Sequence, residues 1–160
     1  MAKVILVCGP IASGKTEYAK RLIAGCRGIL LSVDEIMLAL FGSDAGDGHD
    51  ALVERVQAYL LAKAVELVGR GVDVVLDWGF WTAEERREVT AFFGSRNICV
   101  QWHCMEVSRD VLERNLARRN REIEAGSVKF YYFDDALAAR FWEIFEEPRR
   151  EEIDVWVKAD

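Results

Sequence analysis

Val4-Ile5-Leu6-Val7-Cys8-Gly9-Pro10-Ile11-Ala12-Ser13-Gly14-Lys15-Thr16 is the stretch that decides how this chain folds. Its first five residues form a continuous β-prone apolar run, as expected of a strand buried on both faces. Gly9 to Thr16 then meets every fixed position of the spacing G-x-x-x-x-G-K-[ST], and a helical pattern follows to about Ala24. In such a strand–loop–helix, successive backbone N–H groups converge on one anion. The helix N-terminus adds roughly half a positive charge at the same point. The stretch predicts a phosphate cradle made of Gly9, Pro10, Ile11, Ala12, Ser13, Gly14, Lys15 and Thr16. Lys15 is expected to reach the β- and γ-phosphates of a nucleotide, and the Thr16 hydroxyl to bind Mg²⁺.

Outward from this loop the chain keeps alternating apolar runs with helical periods. Strands are predicted at Gly28–Ser32, Val72–Leu76, Ile98–Trp102 and Ile153–Val157. Helices are predicted at Asp34–Phe41, Ala51–Gly69, Thr82 to about Phe93, Arg109–Ala125 and Asp134–Phe145. Thr82 with Glu85 three residues on is a capping-box pattern, and Ser108 is the expected cap of the long charged helix. Gly42–Asp50 reads as a loop. Five strands with intervening helices predict a parallel sheet covered on both faces, with right-handed crossovers.

The 160 residues fit one domain, 1–160. With 21 Lys and Arg against 27 Asp and Glu, the formal charge is −6. That balance weighs against general binding of nucleic acid or an anionic membrane. Cys8, Cys26, Cys99 and Cys104 form no CxxC pair, and Cys8, Cys99 and Cys104 lie in apolar runs. All four are expected as reduced thiols, those three buried. No signal peptide and no run near 18 apolar residues is visible, so a cytoplasmic protein is expected. His49 and His103 stand alone, without zinc spacing.

Three acidic or basic features complete the candidate site. Asp77 ends Val74-Val75-Leu76-Asp77, where it either holds Mg²⁺ through water or caps a turn. Asp34 follows the second strand, at the sheet end where ligands bind in open α/β folds. It either takes a proton from an attacking hydroxyl or N-caps the next helix. Arg114, Arg118 and Arg121 lie at i, i+4 and i+7, one helix face that either closes over a triphosphate or is solvated and paired with Glu113, Glu122 and Glu124. The aromatics Trp78, Phe80 and Trp81, and the stripe Phe130–Phe133, Phe141, Trp142 and Phe145, read as core or as pocket wall.

Together, Gly9–Thr16, Asp34, Asp77 and the Arg114-x-x-x-Arg118 helix resemble the small P-loop kinases. Leu76-Asp77-Trp78-Gly79-Phe80-Trp81 and Phe145-Glu146-Glu147-Pro148 are most similar to the predicted-kinase group of AAA-type ATP-binding proteins. That group is related to chloramphenicol phosphotransferase, zeta toxin and the kinase domain of polynucleotide kinase. The resemblance covers nearly the whole chain. It implies a three-layer α/β P-loop NTPase fold with five parallel strands in the order 2-3-1-4-5 and a helical arginine-bearing lid over 109–133. It implies ATP and Mg²⁺ as cofactors and a small hydroxyl compound as acceptor. It puts Asp34 in the general-base position, Arg114 and Arg118 on the lid, and the loop from Glu147 to Arg149 near the adenine. The expected activity is phosphoryl transfer from ATP to a hydroxyl, with Lys15→Ala and Arg118→Ala each costing about a hundredfold. Alternatives are a nucleotide-binding regulatory ATPase that switches a partner, and a 5′-hydroxyl nucleic-acid kinase.

Overall fold

The computed structural model describes residues 1–44 and 46–159. Its elements are β1 (Val4–Cys8), α1 (Lys15–Ala24), β2 (Gly28–Ser32), α2 (Val33–Phe41), α3 (His49–Val68), β3 (Asp73–Asp77), α4 (Ala83–Gly94), β4 (Val100–Glu106), α5 (Arg109–Glu124), α6 (Asp135–Ile144) and β5 (Val155–Lys158). Ala45, inside the predicted 42–50 loop, and Asp160, the last residue of the predicted domain, lie outside the described residues.

The five strands form one parallel sheet in the order β2-β3-β1-β4-β5. β1 is central and buried along its whole length, which its unbroken apolar run anticipates. Side chains alternate across the sheet. Val4, Leu6 and Cys8 share one face with Val74, Leu76, Trp102 and Cys104, and there meet Met37 of α2, Leu60 and Ala64 of α3 and Phe93 of α4. Ile5, Val7 and Val75 face the other way, onto Ala19, Tyr18, Leu22 and Ile23 of α1. Each large aliphatic side chain buried in this way contributes roughly 1.5–3 kcal/mol. The result is a three-layer α/β sandwich. A third apolar cluster joins Ile11 of the loop to Leu116 of α5 and Ala138 of α6, with Trp81, Phe133, Phe141 and Trp142 packed against it.

Several boundaries move from their predicted places. β4 runs Val100–Glu106, where Ile98–Trp102 was expected. Gln101 and His103 interrupt the apolar run but not the backbone pairing, which continues from Val4↔Val100 to Cys8↔Cys104. His103 is therefore inside a strand, and its Nδ1 lies 2.8 Å from Tyr18 Oη. α3 starts at His49, so the end of the predicted loop is already helical. β5 begins at Val155 because a 3-10 turn at Arg150–Glu152 precedes it. Thr82 and Glu85 form the predicted capping box, whereas Ser108 holds the cap position of α5 without a side-chain bond. All four cysteines are free; Cys8 and Cys104 are buried, but Cys99, ahead of β4, is exposed. Among the described residues no helix is long and apolar enough to cross a membrane.

Candidate active site

Gly9 leaves β1 with φ 154°, and a Cβ there would stand 2.9 Å from Ser13 Oγ and 3.0 Å from Met105 Cβ. Both conformation and close approach thus require glycine. At the loop tip Ala12 is left-handed, φ 63°, which is uncommon for a residue with a Cβ. Two distant side chains hold that tip. Asn115 Nδ2 of α5 donates to the Ala12 carbonyl at 3.0 Å, and Trp142 Nε1 of α6 donates to the Ile11 carbonyl at 3.0 Å.

Lys15 opens α1 and folds back across the loop, its Nζ donating to the carbonyls of Gly9 at 2.9 Å and Pro10 at 2.8 Å. Burial holds this ammonium below its ordinary range, opposed by the charges of Asp77 and Asp34. One residue on, Thr16 Oγ1 donates to Asp77 Oδ2 at 2.9 Å. Asp77 ends β3 almost fully buried. Burial pushes its carboxyl up, while Lys15 and the Thr16 hydrogen bond pull it down. A hydroxyl and a carboxylate meeting beside a phosphate loop are hard oxygen donors of the kind Mg²⁺ takes.

Asp34 does not cap α2. Ser32 does, its Oγ accepting from Glu35 N at 3.3 Å, and Glu35 itself is exposed. The Asp34 side chain is half-buried. Burial and the charge of Asp77 push its carboxyl up; Lys15, Arg119 and His49 pull it down. The charges of both carboxylates thus bear on the one Lys15 ammonium.

The arginines divide differently from the predicted face. Arg114, Arg118 and Arg121 are exposed. Arg109 pairs with Glu113 at 3.2 Å and lies 4.1 Å over the Trp142 ring. The arginine that α5 turns inward is Arg119. Its guanidinium sits 4.5 Å from the Phe130 ring centre and 5.6 Å from that of Phe133. Its charge bears on both Asp34 and Lys15. Burial lowers its own proton affinity, and Asp34 opposes that. Helical phase carried this information. Leu112, Leu116 and Arg119 repeat the i, i+4, i+7 spacing of Arg114, Arg118 and Arg121, two residues and about 200° out of step. The inward face is the one that bears the leucines.

The aromatics also separate. Trp78 and Phe80 are core, stacked at 4.7 Å between centres, and Arg86 Nη1 donates to the Phe80 carbonyl at 3.0 Å. The Trp81 indole folds over Gly79 so closely that a Cβ there would lie 1.0 Å from its Nε1. From the stripe, Phe133, Phe141 and Trp142 join the cluster against Ile11, while Tyr132 is exposed. A cavity of about 320 Å³ adjoins the loop, lined by Pro10, Glu106, Arg109, Trp142, Glu147 and Trp156 among others.

A family model described as AAA domain matches residues 4–140. No curated protein sequence matches the chain. Among solved structures, a sugar kinase from Janibacter sp. HTCC2649 superposes with a TM-score of 0.66 at 13% identity, over 99% of this chain and 86% of the other. The APS kinase CysC of Mycobacterium tuberculosis, solved with AMPPNP and APS, gives 0.66 at 19% identity, over 99% and 89%. A chain of the Pnkp1/Rnl/Hen1 RNA repair complex gives 0.74 at 13% identity, over 90% of this chain and 44% of the other. At these identities the likeness is one of fold. With its phosphate loop, its strand order and a family match spanning most of its length, the chain belongs to the AAA domain family and is a small P-loop kinase-like protein.

Proposed function

We propose that this chain is an ATP-dependent kinase that moves the γ-phosphoryl group onto a hydroxyl of a small molecule. The observation that carries this reading is a second carboxylate beyond the Thr16–Asp77 pair: Asp34, released from capping by Ser32, whose charge bears with that of Asp77 on half-buried Lys15. A nucleotide switch needs the Thr16–Asp77 side of that arrangement but has no use for a second carboxylate.

Loop amides and Lys15 hold the phosphates, and Thr16 and Asp77 would hold Mg²⁺, which would supply neutralisation of the phosphate charge. The cavity beside Pro10 accommodates the adenine, with the Arg109–Trp142 pair and Glu147 at its wall. Asp34 orients the acceptor hydroxyl and takes its proton as the oxygen bonds to the γ-phosphorus. The bond from that phosphorus to the β-bridging oxygen breaks, and ADP leaves. Arg119 offsets the charge that accumulates on the group in flight. The exposed arginines Arg114, Arg118 and Arg121 favour a second reading, in which the acceptor is a nucleic-acid end held by its phosphates.

The test is ADP release from ATP and Mg²⁺, with and without pooled sugars, antibiotics, nucleosides and 5′-hydroxyl oligonucleotides, for wild type and Asp34→Asn. Stimulation by one pool, lost in Asp34→Asn with ATP binding kept, is the expected result. A steep fall of acceptor binding with salt in the oligonucleotide pool selects the second reading. Release indifferent to every pool and to Asp34 rejects both.

A further inference from the structure

Two stretches beside the site take no part in the chemistry above: the turn Trp78–Thr82, which follows Asp77, and the segment Phe145–Pro148, which follows α6. One residue joins them. Glu146 N donates to the Trp81 carbonyl at 2.7 Å. Glu146 Oε2 accepts from Ala83 N, the first amide of α4, at 2.9 Å. A helix leaves that amide without an internal partner, and a carboxylate there also meets the positive end of the helix. The capping box of α4 uses the amides of Thr82 and Glu85, so Glu146 satisfies a further one.

The turn is a firm anchor. Arg86 Nη1 donates to the Phe80 carbonyl at 3.0 Å. The Trp81 ring packs 4.9 Å from that of Phe141, in the cluster that holds Ile11 of the phosphate loop. The segment that Glu146 ties to it has little else. α6 ends at Ile144, and Phe145 leaves helical space with φ −66° and ψ 112°. From Phe145 to Pro148, the two bonds of Glu146 are the ties to distant parts of the chain among the described residues. Its neighbours in sequence, Phe145 and Glu147, both line the cavity of about 320 Å³ beside Pro10, and exposed Glu147 marks where that cavity meets solvent. Glu146 itself is not among the lining residues.

We infer that Glu146 is a positioning residue of the nucleotide site: fastened to Trp81 and Ala83, it seats Phe145 and Glu147 as the wall against the base. Loss of its carboxylate loosens the grip on the base and spares the grip on the phosphates, which the Gly9–Thr16 loop holds. This assignment rests on the reading above that puts the adenine in this cavity.

The experiment measures, by calorimetry on the full chain with Mg²⁺, the Kd for ATP and for inorganic tripolyphosphate, which has the phosphates without the base. Wild type is compared with Glu146→Ala, Glu146→Gln, Ala83→Pro and the double variant of Ala83→Pro with Glu146→Ala; thermal melts check folding. Proline suits the first position of a helix and removes the N–H that Glu146 accepts from. Thr82 already has the extended backbone that a following proline requires. Wild type is expected to bind ATP more tightly than tripolyphosphate. Glu146→Ala is expected to raise the Kd for ATP about fivefold, as the loss of one hydrogen bond does, and to leave that for tripolyphosphate within about twofold. Glu146→Gln keeps an accepting oxygen and stays within about twofold of wild type for both ligands. Ala83→Pro reproduces the fivefold loss, and the double variant adds nothing to it, because both changes break the same bond. A purely structural role would weaken both ligands alike or neither, and either result overturns the assignment. So do single losses that add in the double variant. A wild type that holds tripolyphosphate as tightly as ATP takes the base out of the cavity and the assignment with it, while the acceptor pools above still decide the kinase reading.

Discussion

The loop Gly9–Thr16 and the clamp formed by α5 and α6 meet at Ile11 and Ala12, and they owe their places to different forces. The loop hangs from β1, which is fixed between β3 and β4 by parallel pairing. Its shape then follows from neighbours a few residues away: Gly9 against Ser13, Ser13 N on the Pro10 carbonyl, Lys15 on Gly9 and Pro10. The clamp is placed by an aromatic cluster and by two hydrogen bonds that reach back 103 and 131 residues. Where geometry is local, residue spacing specifies it. Where it depends on which helix face finds a distant partner, spacing alone offers two answers of equal form.

If the two walls serve one reaction, the largest loss should come from the group that touches the acceptor. Asp34→Asn is expected to lower acceptor-dependent kcat about a thousandfold while ATP affinity is kept. Lys15→Ala is expected to lower kcat/KM about a hundredfold or more. Steady-state kinetics with ATP titrations separates the two, and near-normal turnover in either removes its assigned role.

The clamp is tested most sharply by two arginines adjacent in sequence. Arg119→Ala is expected to cost about a hundredfold in kcat/KM, because its guanidinium is turned inward over Phe130 and its charge bears on Asp34 and Lys15. Arg118→Ala, on the exposed face, is expected to cost less than about threefold, as exposed charges usually do. Equal losses would mean that α5 turns during the reaction. A reversed order would restore the face that spacing first suggested.

A pH profile joins the walls. The Asp34 carboxyl is pushed above the ordinary aspartate range by burial and by Asp77. Acceptor-dependent kcat/KM should therefore fall, as pH drops, through a midpoint above about 3.9. Arg119 favours the ionised carboxylate, so Arg119→Gln should move that midpoint to higher pH. A midpoint that stays or moves down separates Arg119 from Asp34. The smallest effect is expected from Asn115→Ala, which removes one hydrogen bond to the loop tip. About 1 kcal/mol, or roughly fivefold in ATP affinity by calorimetry, is the expected size.

The legible and illegible parts of the molecule follow this division. β1, β2 and the capping box at Thr82 fell where composition put them, because each depends on its own residues. β4 was ended too early because His103 looks polar in isolation, yet pairing with β1 carries it into the sheet. The Asp34 alternatives could not be separated by sequence, since Ser32 and Asp34 are both good caps and only the dihedral of Ser32 decides. Arg119 was hidden by the more regular face beside it.

The cluster between loop and clamp also makes the molecule its own optical gauge. Of five tryptophans, Trp81 and Trp142 belong to that seam, and Trp142 Nε1 is bonded to the Ile11 carbonyl. Any parting of clamp from loop must break that bond and wet both indoles together, whereas Trp78 and Trp102 stay buried against the sheet. Intrinsic emission therefore shifts red with opening and blue with closure. Any movement of the clamp on adding nucleotide can be followed in the unlabelled protein.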